Sequence, residues 1–195
     1  MNLPPDRHRI RTAYRLWHGV RAYVAHADPA AATANFVAMI VGWNTPFYPI
    51  YVIAFAGWGT LAAVLTGLAA PLFLAVPAIA RASSRAGRFA LPLIGIANTL
   101  WCTKVLGPSC GLELFLLPCA MLTGLLYRRS EKPYLIVAAS FAFAANFLPS
   151  GVYGAPIVVL SAETAQRLAT LNEASALTLA LVIAWQIAGL LRMPE

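Results

Sequence analysis

Two apolar runs, at about residues 33–55 and 58–80, follow one another with only the residues AGWG around their junction. A helix crosses a bilayer with roughly 17–25 apolar residues, so each run is a complete span. Four more follow, at about 89–106, 112–127, 134–152 and 172–191, parted by RASSRAGR, GPSCG, RRSEKP and a longer segment that begins GAPIVVLSAET. Of the 195 residues, 60% are hydrophobic and 11% charged, and mean hydropathy is +0.71. A soluble domain carries about 25% charged residues. The chain therefore reads as all-α: a polytopic membrane bundle of about six helices over residues 31–192, led by a basic segment, 1–30. The fourth run is short, which leaves five or six spans open, and no internal repeat is apparent. The first run begins only near Thr33, after a basic and aromatic lead-in, so a cleavable signal peptide is not expected.

Charge placement orients the spans. With the N-terminus in the cytoplasm, Arg7, Arg9, Arg11, Arg15 and Arg21 fall inside. So do Arg81, Arg85 and Arg88, then Arg128, Arg129 and Lys132, then Arg192. That is 12 of the 14 basic residues, with Lys104 and Arg167 outside. Lys and Arg resist translocation near span ends, so both termini are expected in the cytoplasm. The net charge of +7 then reports orientation and contact with anionic lipid headgroups rather than nucleic acid.

Residues 8–26 form an amphipathic pattern, with Ile10, Ala13, Tyr14, Trp17, Val20 and Val24 on one face and Arg7, Arg11, Arg15 and His18 on another. Arg21 falls near the apolar face and has to snorkel. Such a helix suits the headgroup layer, either as an anchor or as a place for a partner to dock.

Polar groups inside spans are costly unless paired, so they mark candidate sites. The first span holds Asn44 and Thr45 beside Pro46 and Pro49. These prolines cannot donate to the carbonyls of Gly42 and Thr45. The helix is expected to kink or open there, as a packing kink or as a pocket wall lined by aromatic residues. The third span offers Asn98, Thr99, Cys102, Thr103 and Lys104; the fourth Glu113; the fifth Asn146; and the last Gln186, with Asn172 and Glu173 at its outer entry. Lys104 and Glu113 flank the turn VLGPSCGL and are expected at similar depth as an ion pair. Asn44, Tyr48, Asn98, Trp101, Cys102 and Glu113 are the residues expected to line a ligand pocket. Ser161 is the expected N-cap of a long last helix, with Glu163 in its first turn.

Cys102, Cys110 and Cys119 lack CxxC spacing, so they imply neither a disulfide framework nor a zinc site; a Cys102–Cys110 bridge would require the hairpin to bend. No nucleotide-binding glycine motif, nucleophile elbow or metal motif occurs. No nucleophile or acid–base pair is arranged for chemistry. Catalysis, a cofactor and a bound metal are not expected.

The stretches GLELFLLPCAMLTGLLYRRSEKPYLIVAASFAFAANFLP and RLATLNEASALTLAL resemble the six-helix membrane modules of bacterial class III adenylate cyclases and sensor histidine kinases. In these a glycine-containing outer turn leads into an aromatic and Leu-rich fourth helix, a short basic loop and a Phe-rich fifth helix. The resemblance covers most of the chain as topology and about residues 100–192 as local pattern. It implies a bacterial inner-membrane receptor or regulatory anchor, in some members for small lipophilic signals, with an output domain after the last helix. The sequence given stops at LRMPE, just after the sixth expected span, so a truncated module, a free-standing relative and a protein that signals through a partner chain are the expectations. A small transporter or channel, or an assembly subunit of a membrane complex, are the other readings.

Overall fold

The computed structural model describes residues 6–191, most of which are helical, with no strand among them. Arg192 lies outside the described residues. The helices are α1 (Asp6–Val24), α2 (Pro29–Asn44), α3 (Tyr48–Ala56), α4 (Ala70–Ala82), α5 (Ser84–Leu106), α6 (Leu116–Leu125), α7 (Lys132–Asn146) and α8 (Ala162–Leu191). Tighter 3₁₀ turns join several of them, at Thr45–Phe47, Trp58–Gly67, Pro108–Cys110, Leu112–Phe115, Arg129–Glu131 and Ser150–Tyr153. Four continuous helical segments are long and apolar enough to cross a membrane: Pro29–Ala56, Trp58–Ala82, Ser84–Leu106 and Ala162–Gly189. Leu112–Leu125 is a shorter apolar helix. The expected span 134–152 stops being α-helical at Asn146, because Pro149 disfavours helical backbone just before it.

The two prolines of the first span act differently from expectation. The chain neither opens nor swings away at Pro46. It tightens into the Thr45–Phe47 turn with right-handed helical backbone on both sides, and Tyr48 N–H donates to the Thr45 carbonyl. This i→i+3 bond satisfies the carbonyl that Pro49 leaves free. The larger irregularity comes later. Gly57 takes φ +85°, and the second span starts with ten residues of 3₁₀ helix that bend at Thr60. Left-handed φ is nearly cost-free for glycine alone.

Packing gives two larger cores and a smaller cluster of Ile96, Leu116, Cys119, Ala142 and Ala145. Val37, Phe73, Val76, Leu91, Leu126 and Ile183 form the core at one end. Val52, Val105, Leu106, Leu112, Val158 and Leu168 form it at the other. α4 and α5 make a tight hairpin in which a side-chain carbon on Gly87 would lie 2.5 Å from Ala80 Cβ. The periphery is strongly apolar: Trp43, Leu61, Leu72, Phe143, Leu181 and Trp185 are all exposed. Soluble monomers rarely present so much contiguous apolar surface. That surface and the four long helices make this a membrane protein.

The first core ends in a charged clasp. Arg88, only 3% exposed, donates through Nη1 to Glu131 Oε2 (2.7 Å) and through Nη2 to Glu131 Oε1 (2.8 Å). Nη1 also donates to the Leu126 carbonyl at 2.6 Å. Arg88 Nε lies 3.5 Å from Asp28 Oδ2. Asp28 in turn caps α2 by accepting from Ala30 N–H (3.0 Å) and receives the Ser84 hydroxyl. Arg85 and the Arg128 backbone N–H complete the shell around Glu131. The clasp therefore ties three turns, α1–α2, α4–α5 and α6–α7, at one end of the molecule. α1 is held there too, by Tyr23 Oη to the Leu74 carbonyl (2.8 Å) and Arg81 to the Tyr23 carbonyl (3.0 Å). Lys104 and Arg167 lie at the opposite end.

Replacing Arg88 by Ala leaves Glu131 buried without its main partner. Breaking a buried pair in this way costs about 3–5 kcal/mol, and thermal unfolding in detergent measures it. The Arg88 hydrogen bonds, aided by the Arg128 N–H, hold Glu131 near pKa 2, against 4.5 for a free glutamate. Because the folded value is the lower one, this contribution is full above about pH 4.5 and is lost as pH falls toward 2. Unfolding temperatures across that window should drop in the native protein and flatten in Glu131→Gln.

Candidate functional site

Between the two cores lies a cavity of about 370 Å³, walled by α2, α5, α6 and α8. The walls are apolar where Val37, Phe73, Leu91, Leu122 and Val182 line it, and several polar groups break into them. Ile40, Asn44, Ala174 and Thr178 line it and are also exposed, so it opens sideways between α2 and α8. Gly95 lies on its wall, where a side-chain carbon would come within 2.6 Å of Cys119 Sγ. A small residue here is a condition for α5 and α6 to approach.

Of the six residues expected to line a pocket, Asn44, Tyr48, Asn98 and Cys102 do so. Trp101 and Glu113 do not. Trp101 sits on the face of α5 that meets the Trp58–Gly67 turn and donates Nε1–H to the Leu65 carbonyl at 2.8 Å. Glu113 is half-buried in the Leu112–Phe115 turn, away from the cavity. The expected Lys104–Glu113 ion pair is not formed. Lys104 Nζ instead donates to the carbonyls of Tyr153 and Ala155, both at 2.8 Å. Residues 153–158 fold back over the end of α5, where Val158 N–H donates to the Val105 carbonyl at 2.8 Å. These carbonyls have no regular partner in that stretch and claim the ammonium. Cys102, Cys110 and Cys119 are free and buried. Cys102 Sγ bonds Asn98 Oδ1 (3.6 Å) and the Thr66 carbonyl (3.7 Å), while Cys110 Sγ bonds the Leu106 carbonyl (3.5 Å). The Cys102–Cys110 bridge is absent.

Asn172 is the residue that sequence reasoning placed at a wet helix entry and that folding puts at the centre. It is 1% exposed. Its Nδ2 donates to Tyr48 Oη at 2.9 Å and to the Cys110 carbonyl at 2.8 Å. One side chain thereby joins α8, the start of α3 and the α5–α6 turn. α8 starts where expected: Ser161 Oγ accepts from Thr164 N–H (3.2 Å), and Glu163 pairs with Arg167 one turn on. About ten residues in, at 1.5 Å each, Asn172 has come level with Tyr48 and the α5–α6 turn. The signal that could have found it is its place on the same helical face as Ala165, Leu168, Ala176 and Ile183, all buried. An amide in a buried stripe requires a partner.

Asn172→Ala removes both of these bonds and leaves the Cys110 carbonyl without its side-chain donor. The expected loss is about 1–3 kcal/mol, read as a lowered unfolding temperature, whereas Glu173→Ala on the exposed face next door should be near neutral.

No family model matches the chain, and neither a curated protein nor a solved structure matches it.

Proposed function

We propose that the protein is a six-span integral membrane protein of the bacterial inner membrane with both termini cytoplasmic, acting as a non-enzymatic sensing or regulatory module. Its cavity takes a small lipophilic ligand from the side. The observation that carries this reading is a cavity with apolar walls and a few convergent polar groups, which is the common form of a small-molecule site. Its mouth between α2 and α8 faces the apolar surface, so a lipophile reaches it without leaving the lipid.

Leu112–Leu125 and α7 supply the two further spans. Both are short for a bilayer, and local thinning accommodates short helices at modest cost. The clasp end is the cytoplasmic one, in keeping with Arg81, Arg85 and Arg128 there. α1 lies in the headgroup layer, in keeping with the exposure of Tyr14, Trp17 and Val20, and its arginines meet anionic lipid. Ile10, Ala13, Arg7 and Arg11 of that helix lie outside the residues whose side chains are described. A ligand in the cavity touches α2, α5 and α8 together. α8 then runs to the clasp end, which suits it to report occupancy to a partner chain.

Two measurements test this. Reporter fusions in the 107–111 and 128–133 turns should report opposite compartments, and the same compartment for both would end the six-span reading. Native protein in nanodiscs should be stabilised by at least one member of a broad lipophile panel, by about 2.7 kcal/mol at a hundredfold excess over Kd, and Asn44→Leu should weaken that effect. If no lipophile stabilises it, the ligand reading is abandoned. The irregular start of the second span, bent at Thr60 after Gly57, also favours a second reading, a small transporter, because interrupted helices often form transport sites. Solute flux into liposomes containing the protein distinguishes it from a module that binds without transport.

A further inference from the structure

The hydrogen-bonding capacity of the cavity narrows the ligand class, on the reading of the cavity as a ligand site. The hydroxyls of Thr45, Thr66, Thr99, Ser175 and Thr178 each donate to a carbonyl of their own helix or turn, at 2.7–2.9 Å. They are spent as donors; the amides of Asn44 and Asn98 also line the cavity, but on its less buried side. Asn172 spends both amide protons on Tyr48 Oη and the Cys110 carbonyl. A carbonyl only accepts, so its partner has to be the amide nitrogen. That leaves Asn172 Oδ1 buried with no partner among the described residues. Tyr48 Oη accepts from Asn172, and its own proton is not engaged among them. Nitrogen and oxygen belong to one amide, so this free acceptor and free donor are neighbours. No charged side chain lines the cavity among the described residues.

We propose that the cavity recognises uncharged lipophiles bearing one hydroxyl group, alcohols or phenols, whose O–H donates to Asn172 Oδ1 and whose oxygen accepts from the Tyr48 hydroxyl. A hydroxyl is the smallest group that answers both atoms. An ether or ketone satisfies Tyr48 and leaves Asn172 Oδ1 orphaned, which is the costly outcome for a buried acceptor. An ion enters a cavity that offers no counter-charge. The volume, about 370 Å³, is at the small end of ligand sites, and the lateral mouth lets a longer apolar tail pass out between α2 and α8.

The test uses the full chain in phosphatidylcholine nanodiscs and three photoreactive diazirine probes of one chain length: a primary alcohol, its methyl ether and the alkane. Labelled sites are mapped by mass spectrometry. The alcohol should label the peptides around Tyr48, Asn98 and Asn172 about tenfold more than the ether, the ratio expected for one buried bond made or lost. Tyr48→Phe should lower alcohol and ether labelling together and keep their ratio high. Asn172→Leu should bring the ratio to about one with alkane labelling retained. Should that variant fail to fold, the native ratio and Tyr48→Phe decide the matter. Equal labelling of the native cavity by alcohol and ether overturns the hydroxyl class and leaves a lipophile site standing. No cavity labelling by any of the three overturns both.

Discussion

A chain with this much apolar surface has to close its own hydrogen bonds, because hydrocarbon supplies no partners. That constraint explains why the irregular parts look as they do. At Pro46 and Pro49 the helix tightens to an i→i+3 turn instead of opening. Along the spans, hydroxyls turn back to their own helices. Lys104, expected to pair with Glu113, goes to two loop carbonyls instead. Charge attraction at a wet end is worth little, and the Tyr153 and Ala155 carbonyls, unpaired by regular structure, are the partners that the fold brings to the ammonium.

With most polar atoms closed off, the exceptions become informative. The clasp around Arg88 links three separate turns through one buried guanidinium. Burying such a pair contributes little net stability, but removing either partner is severe, so the clasp fixes the relative positions of α2, α5 and α6. Those helices form much of the cavity wall. The far end of the cavity is held by Asn172, which uses one amide to join α8 to α3 and to the α5–α6 turn. The site is thus suspended between two polar fastenings, each of which depends on residues distant in sequence.

The sequence made some of this legible. Helical class, the long apolar helices, the cap and length of the last helix, and four of the six pocket residues all follow from rules that act within one or two turns. Asn44 and Tyr48 were readable because they flank prolines, and Asn98 and Cys102 because polar groups inside a span are few and costly. Trp101 and Glu113 were misplaced for the same reason. They lie close in sequence to genuine lining residues, yet rotation about the helix and the Leu112–Phe115 turn point them elsewhere. Asp28 and Glu131 were passed over because each looks like an ordinary acidic residue in a basic loop.

What the sequence determined alone is therefore the solvent and the secondary structure. Lengths of apolar run, proline and glycine positions and charge bias are local quantities, and hydrocarbon permits few backbone solutions to them. Only tertiary structure decided the partners. Arg88 meets Glu131 across 43 residues, and Asn172 meets Tyr48 across 124. Which of several polar groups is left unpaired depends on how the helices pack in three dimensions. That arrangement, absent from any single stretch of chain, turns a buried asparagine into the acceptor at the centre of the site.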